Sequence, residues 1–303
     1  TGRSAGSYTV TVTDANSCSI TRTFTLTQPT ILATTISSQT NIACNGGTTG
    51  AATVAPTGGT PSYTYSWAPS GGTAATATGL AAGAYTVTVT DANSCVKTQT
   101  VTVTQPTALT ASTSQTNVAC NGGSNGTASV TPTGGTPSYT YSWAPSGGTS
   151  ATATGLAAGG YTVTVTDANS CSITRTFTLT QPPALATSIS SQTNIACNGG
   201  TTGAATVSAT GGTPSYTYSW APSGGTAATA AGLAQGNYTV TVTDANSCVK
   251  TQTVSITQPT VITATISSQT NIACNGGTTG AATVSATGGT PSYTYSWAPS
   301  GGT

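Results

Sequence analysis

The chain repeats one unit of 76–77 residues, and this repetition constrains its fold more than any other feature. Three near-identical copies follow one another at residues 30–106, 107–182 and 183–259. Residues 1–29 match the last part of a copy, and residues 260–303 match the first part of one. Because self-similarity at a fixed period marks an array of modules, we predict that each copy folds as a small module of its own.

The two partial copies leave two interpretations open. Together they lack only four residues of a whole unit. Either the sequence is an excerpt from a longer array, or the ends of two molecules complete each other by exchanging strands. A chain that starts without Met or a signal peptide and stops inside a motif favours the excerpt.

The composition excludes several classes of function. Only 9 of the 303 residues are charged, the net charge is +1, and the chain has no Glu and no His. This balance offers no basic surface for nucleic acid or anionic lipid, and no apolar run approaches the ~20 residues that span a bilayer. Without His or Glu, most acid–base, triad and metal sites are also missing. We therefore predict a protein that is not an enzyme, with no catalytic residue, cofactor, metal, nucleic-acid partner or membrane span.

The polar and apolar residues alternate as they do in β-strands. Thr and Val alternate through residues 85–90, the pattern of a half-buried strand, and Gly or Pro interrupts the sequence every 8–12 residues. In the copy at 30–106 we predict strands near 31–37, 50–55, 62–67, 74–80, 84–90 and 96–104. Six or seven short strands in one unit are typical of a small immunoglobulin-like sandwich. The predicted fold class is all-β, a tandem array of small immunoglobulin-like β-sandwich modules.

Aromatic residues recur on one strand of each unit. Tyr63, Tyr65 and Trp67 lie on one face of their strand, where large rings fill the space between two sheets. Tyr85 follows the Gly83 turn as in a tyrosine corner, in which the phenol bonds to an upstream backbone group. The predicted core aromatics are Trp67, Trp143, Trp220, Trp297, Tyr85, Tyr161 and Tyr238. If these rings were exposed instead, they would form a platform for sugars.

All four acidic residues occupy one repeated position. They are Asp14, Asp91, Asp167 and Asp244, each in an Asp-Ala-Asn-Ser-Cys tip. One Asp beside one Asn offers far fewer oxygen ligands than the six to eight that Ca²⁺ takes. Asx side chains cap turns well, so we predict a turn-capping role.

The units join without a flexible linker. Each unit ends in Gln-Pro, and the next strand-like run follows at once, as in Pro29 and residues 30–32. Proline restricts its own φ and the residue before it. We predict short, stiff joints and an elongated rod in which successive modules keep a nearly constant relation.

Two cysteines per unit, without CxxC or His, favour disulfides over zinc. The candidates are Cys44, Cys95, Cys120, Cys171, Cys197 and Cys248. Disulfides persist in oxidising compartments, so the pattern predicts an extracytoplasmic protein.

The sequence leaves the disulfide pairing open. Our expectation is pairing within a unit, as Cys44–Cys95, Cys120–Cys171 and Cys197–Cys248. Its weakness is that the first turn and the last hairpin of a sandwich lie at opposite poles, too far apart for a disulfide. One alternative joins Cys44 to Cys171 of the following module. A second alternative links Cys18–Cys44, Cys95–Cys120, Cys171–Cys197 and Cys248–Cys274.

Ordered anchors in each unit resemble a known family. In the copy at 107–182 they are Cys120-Asn121-Gly122-Gly123, Gly135-Thr136-Pro137, Tyr141-Ser142-Trp143, Gly155-Leu156 and Asp167 through Cys171. They resemble the SprB-type repeat of large surface adhesins of gliding Bacteroidota. The resemblance covers every complete unit and implies export to the cell surface by a type IX pathway, and a role in adhesion or gliding. It carries no catalytic residues.

From these observations we expect an extracellular repeat-array adhesin or stalk that acts as a structural spacer. The alternative is a self-assembling extracellular filament or sheath subunit, which the low charge permits. A third possibility is an array of carbohydrate-binding modules, which requires exposed aromatics. The expected partners are neighbouring repeats of the same chain, with lateral self-association or surface glycans beyond them.

Overall fold

The structure, a computed structural model, describes residues 2–298 and contains only β-strands as regular elements. The first partial repeat holds β1 (Gly6–Thr13) and β2 (Ser19–Leu26). The first complete repeat holds β3 (Ala33–Thr40), β4 (Gly50–Thr57), β5 (Thr64–Ala68), β6 (Thr76–Leu80), β7 (Gly83–Thr90) and β8 (Val96–Val103). In residues 2–298 there is no helix with the length and apolar character needed to cross a membrane.

The remaining strands repeat this order. The second complete repeat holds β9 (Thr110–Thr116), β10 (Gly126–Thr133), β11 (Thr140–Ala144), β12 (Thr152–Leu156), β13 (Gly159–Thr166) and β14 (Ser172–Leu179). The third holds β15 (Ala186–Thr193), β16 (Gly203–Thr210), β17 (Thr217–Ala221), β18 (Thr229–Leu233), β19 (Gly236–Thr243) and β20 (Val249–Ile256). The last partial repeat holds β21 (Thr263–Thr270) and β22 (Ala281–Thr287).

Each complete repeat builds two three-stranded sheets. In the first repeat the sheets run β3-β4-β6 and β5-β7-β8, with antiparallel neighbours. The third repeat has the same orders, β15-β16-β18 and β17-β19-β20. Buried residues of both sheets meet in one core, which in the first repeat consists of Ile42, Ala52, Val54, Trp67, Ala77, Leu80, Tyr85, Val87, Val89, Val101 and Val103. The predicted fold class is confirmed: the chain is an all-β array of small immunoglobulin-like sandwiches.

Strand β7 shows how the alternating sequence produces this core. Tyr85, Val87 and Val89 are buried and the intervening threonines are partly exposed. β7 lies between β5 and β8, and its register places Val87 opposite Trp67. The Tyr85 hydroxyl donates to the Ala81 carbonyl oxygen at 3.2 Å, so the predicted tyrosine-corner bond is observed.

The described residues divide between two compact units. The first runs to Thr113 and includes Val130–Ala151 and Thr162–Thr176. The second comprises Ser114–Ser129, Thr152–Tyr161 and the chain from Phe177 onward. The division passes through the second complete repeat, so the unit edges do not follow the repeat boundaries. The boundaries and the elongated rod stay predictions.

The partial repeats expose residues that complete repeats bury. In the β1–β2 hairpin, Val12 is 61 % and Phe24 47 % exposed. Trp297 is 37 % exposed, so the prediction that it is a core residue is wrong. In a complete repeat the strand that carries the Trp pairs with the equivalent of β7. Within residues 2–298, no strand pairs with the segment that carries Trp297.

Candidate functional site: the joint between repeats

The Cys-Asn-Gly-Gly turn is hydrogen-bonded to the Gln-Pro pair at the end of its own repeat. The turn closes when the Gly47 N–H donates to the Cys44 carbonyl oxygen at 3.0 Å, and Gly46 takes a φ of +77°, which favours glycine. The Asn45 side-chain amide donates to the carbonyl oxygen of Pro106 at 2.9 Å. The Gly46 N–H donates to Oε1 of the preceding Gln105 at 2.7 Å. The Gln-Pro pair is therefore held by side-chain hydrogen bonds as well as by its restricted backbone.

The same hydrogen bonds between the turn and the Gln-Pro pair recur in the other complete repeats. The Asn-to-Pro distances are 3.0 Å for Asn121 and Pro182 and 2.9 Å for Asn198 and Pro259. The Gly-to-Gln distances are 2.7 Å for Gly122 and Gln181 and 2.8 Å for Gly199 and Gln258. This local geometry is thus constant across the three complete repeats. Sequence reasoning singled out the proline but missed the roles of the asparagine and glutamine, although both recur in every copy.

A second set of bonds holds the strand that leads into the turn. The Gln39 side-chain amide donates to the carbonyl oxygen of Thr102 at 2.7 Å. Asn41 Oδ1 accepts the backbone N–H of Thr104 at 3.1 Å, and the Ile42 N–H donates back to the Thr104 carbonyl at 2.9 Å. Ile42 then enters the core. The segment before Cys44 is therefore fastened to the far end of β8.

The aspartate of each tip organises its own turn. Asp91 Oδ1 accepts the backbone N–H groups of Asn93 at 2.9 Å and Cys95 at 2.8 Å. Its Oδ2 accepts the N–H of Thr60 at 2.8 Å, which fastens the tip to the Gly58–Thr60 loop. The predicted turn-capping role is confirmed. Within residues 2–298, no three His, Cys, Asp or Glu side chains gather where they would hold a metal ion.

These hydrogen bonds favour the charged carboxylate. The backbone N–H of Thr60 is the largest of the contributions that hold the pKa of Asp91 below its ordinary value of 3.8. Thr136 and Thr213 do the same for the pKa values of Asp167 and Asp244. The three complete repeats therefore share one acid-sensitive element.

We expect the stability of the array to fall only in acid. A carboxyl whose pKa is lower in the folded state stabilises the fold above its unfolded pKa, and this stability is lost as the pH falls through the folded pKa. Thermal unfolding followed by circular dichroism should show a constant Tm between about pH 5 and pH 7 and a decrease below about pH 4. The matched variant, with Asp91, Asp167 and Asp244 all replaced by Asn, should lose this decrease. A decrease that begins near pH 6 would contradict the assignment, because the chain has no Glu or His.

The disulfides connect neighbouring repeats. Cys44 bonds to Cys171 with a Cα–Cα distance of 5.6 Å, and Cys120 bonds to Cys248 at 5.7 Å. Each bond therefore joins a turn cysteine to the tip cysteine of the next repeat. The expected pairing of Cys44 with Cys95, and of the equivalent cysteines, within a repeat is wrong.

Strand length explains why a repeat cannot close its own disulfide. Cys95 immediately precedes β8, whereas the Cys44 turn contacts Gln105, just beyond the other end of β8. Eight residues of strand at about 3.3 Å each separate the two sites by about 25 Å. A disulfide requires Cα atoms within about 7 Å. The tip that reaches Cys44 is therefore the tip of another module.

A hydrogen bond accompanies each disulfide. The side-chain amide of Asn169 donates to the Ala43 carbonyl oxygen at 3.1 Å, next to the Cys44–Cys171 bond. Asn246 donates in the same way to the carbonyl of Ala119 at 3.0 Å. The tip asparagine also donates to a threonine hydroxyl of its own repeat, at 2.9 Å from Asn169 to Thr136. It therefore links the tip to both repeats at once.

The other four cysteines are free and exposed. They are Cys18, Cys95, Cys197 and Cys274. The two disulfides span 127 and 128 residues. Within the described residues no cysteine lies at this spacing from any of the four, so Cys95 and Cys197, both disulfide candidates from the sequence, make no equivalent disulfide.

Removing the hydrogen bond between the Gly46 N–H and the Gln105 side chain should affect the amide of Gly46 most. In Gln105→Ala the Gly46 N–H loses its acceptor, and a hydrogen bond of this kind contributes about 1 kcal/mol. Hydrogen exchange should therefore become about fivefold faster at Gly46. The control is Gln99→Ala in β8, whose side chain reaches only the carbonyl of Thr100. Equal effects of both variants on the Gly46 amide would show that the hydrogen bond to Gln105 does not protect this amide from exchange.

Comparison with known families identifies the repeat. Residues 36–72, 112–149, 189–225 and 266–302 match the family model of the SprB repeat. This is an SprB repeat protein. The resemblance visible in the sequence is thereby confirmed. Each match covers the Cys-Asn-Gly-Gly turn and the Tyr-Ser-Trp segment of an SprB repeat, whereas the Asp-Ala-Asn-Ser-Cys tip lies outside the matched segments. No curated protein matches the chain.

Some solved structures are similar at low identity. Three domains of the outer capsid protein Hoc of bacteriophage RB49 share 14 % identity, with a TM-score of 0.37, over 74 % of this chain and 99 % of that one. Immunoglobulin domains 1–5 of Sidekick-1 share 14 % identity, with a TM-score of 0.32, over 84 % and 66 %. A tetra-tandem repeat from the extending region of a large adhesion protein shares 15 %, with a TM-score of 0.30, over 84 % and 82 %. At these TM-scores the likeness says nothing about function.

Proposed function

We propose that this SprB repeat array is a non-enzymatic extracellular stalk that acts as a spacer in surface adhesion. The observation that carries the proposal is the joint between repeats. Each of the two joints between complete repeats is crossed by the backbone and by a disulfide, and the turn beside it holds the Gln-Pro pair. Reinforcement at both of these joints serves a protein whose task is to hold distant parts together.

The disulfides also support the location. Disulfides form and persist outside the cytoplasm, where thiols are not kept reduced. Two of them in a chain with small cores favour an exported protein. Export by a type IX pathway and a role in gliding motility come from the family resemblance and belong to the same proposal.

The aromatic rings argue against a sugar-binding array. Trp67 is 5 %, Trp143 7 % and Trp220 6 % exposed, so these rings have no free face for a sugar to stack on. The Trp67 indole N–H is already used by the Ala74 carbonyl oxygen at 2.9 Å. A spacer role requires no such surface, since the repeats need to contact only their neighbours.

A repeat-exchange experiment in the producing cell tests the spacer role. Removing SprB repeats in pairs from the full-length protein should reduce surface adhesion in proportion to the number removed. Restoring the same number of residues with an unrelated tandem sandwich array should restore adhesion. Adhesion that returns only with the native SprB repeats would show that they bind a ligand themselves, and would overturn the spacer role.

A further inference from the structure

We propose that the disulfides turn the array into a covalent ladder, in which tension along the stretched chain crosses the two joints between complete repeats through sulfur atoms and leaves the backbone of those joints slack. The proposal rests on the stalk function and adds that the stalk bears force without unravelling. It follows from which cysteines are joined, and not from the strength of any single bond.

The two disulfides bypass both joints between complete repeats. Cys44–Cys171 spans the joint after Pro106, and Cys120–Cys248 spans the joint after Pro182. The two loops overlap over residues 120–171. Each joint is therefore crossed by two covalent connections, the peptide chain and a disulfide.

The shortest covalent route through the chain avoids the two Gln-Pro joints between complete repeats, those at Pro106 and Pro182. From residue 2 to residue 298 this route runs through residues 2–44, crosses a disulfide, follows residues 171–120 in reverse, crosses the second disulfide and ends with residues 248–298. It uses about half of the backbone. The bypassed segments, 45–119 and 172–247, stay slack when the route is taut, even if every sandwich has unfolded.

The anchors of the route are rigid turns. On one side, the Cys44 turn is closed by Gly47 and lies directly before β4. On the other, the Cys171 tip is capped by Asp167, whose Oδ1 accepts the N–H of Cys171 at 2.9 Å and whose Oδ2 accepts the N–H of Thr136 at 2.9 Å. Force transmitted through the Cys44–Cys171 disulfide therefore acts on backbone that is hydrogen-bonded to a second loop of the repeat.

The overlap of the loops predicts a non-additive response. At about 3.4 Å per extended residue, the oxidised chain should reach about 490 Å between residues 2 and 298. Without either one of the disulfides it should reach about 570 Å, because the remaining loop still bypasses more than a hundred residues. Without both disulfides it should reach about 1,000 Å.

Single-molecule pulling on the full chain, with a handle at each terminus, measures these lengths. The background carries serine at the four free cysteines, so that no other bond forms. Three variants are compared with it: C44S with C171S, C120S with C248S, and all four substitutions together. We expect about 490, 570, 570 and 1,000 Å, with the background protein also reaching about 1,000 Å after reduction. The measured lengths belong to the unfolded chain, so a variant that folds poorly still gives an answer.

Two results would overturn the ladder. An oxidised background chain that extends to about 1,000 Å would show that no bypass exists. Cysteines paired within repeats, tested with Cys95 retained, would give about 660 Å and equal increments for each disulfide removed. The experiment needs no cell and no ligand, so the two failures are distinguishable. A missing bypass would remove the disulfides from the argument for the spacer role, which the adhesion experiment tests separately, and a failed adhesion experiment would leave the ladder untouched.

Discussion

Replacing Trp67 with alanine should destabilise the first complete repeat by about 3–5 kcal/mol, the range for truncation of a large buried aromatic. The ring lies in the core between the two sheets, and its indole N–H donates to the Ala74 carbonyl oxygen at 2.9 Å. The variant leaves a cavity and an acceptor that has lost its partner.

The third repeat provides an internal control for this experiment. Hydrogen exchange of β8 should accelerate by about two to three and a half orders of magnitude, at about 1.4 kcal/mol per factor of ten. Exchange of β20, whose sequence differs at its end and is therefore distinguishable, should stay unchanged. Trp297→Ala alters an exposed ring and should change stability by less than about 1 kcal/mol. Unchanged exchange in β8 would mean that Trp67 is not a core residue.

Removing the Cys44–Cys171 disulfide should lower the free energy of unfolding by an amount similar to that for Trp67→Ala. A crosslink that closes a loop of 127 residues stabilises the folded state by about 5 kcal/mol in the chain-entropy model. The variant with C44S and C171S should therefore unfold at a clearly lower denaturant concentration, measured by tryptophan fluorescence under oxidising conditions. This crosslink joins the first complete repeat to the second. The contact between the two repeats should therefore be lost before either sandwich unfolds.

The free cysteines provide the matched control. C95S and C197S replace exposed thiols that make no disulfide, and each should change the unfolding free energy by less than about 0.5 kcal/mol. If C95S destabilised the chain as much as C44S, Cys44 would be paired with Cys95 within its repeat, and the assigned bond between Cys44 and Cys171 would be wrong.

Features made by nearby residues could be predicted from the sequence. The Tyr85 hydroxyl reaches a carbonyl four residues upstream, and Asp91 caps amides two and four residues ahead. The strands around them follow from the alternation of Val and Thr. Such interactions depend on a few torsion angles, so the residue types and their spacing carry the information.

Contacts across the module could not be predicted in this way. The Asn45 amide reaches Pro106, 61 residues later, and the Gly46 N–H reaches Gln105, 59 residues later. Both Asn and Gln recur in each copy, yet many residues recur in a repeat array, and repetition alone does not say which of them touch. Trp297 was misplaced for a related reason, since its burial depends on a strand that would lie opposite it.

The sequence by itself determined the modular β-architecture, the family, the capped tip and the presence of cysteines suited to disulfides, because period, alternation and local spacing encode all four. Only the tertiary structure decided which cysteines join. Every repeat carries the same turn and the same tip, so nothing local distinguishes a partner in one repeat from a partner in the next. The choice is made by the length of β8, which holds the turn and tip of one sandwich about 25 Å apart. The packing of the following repeat then brings its tip within 5.6 Å, Cα to Cα, of Cys44.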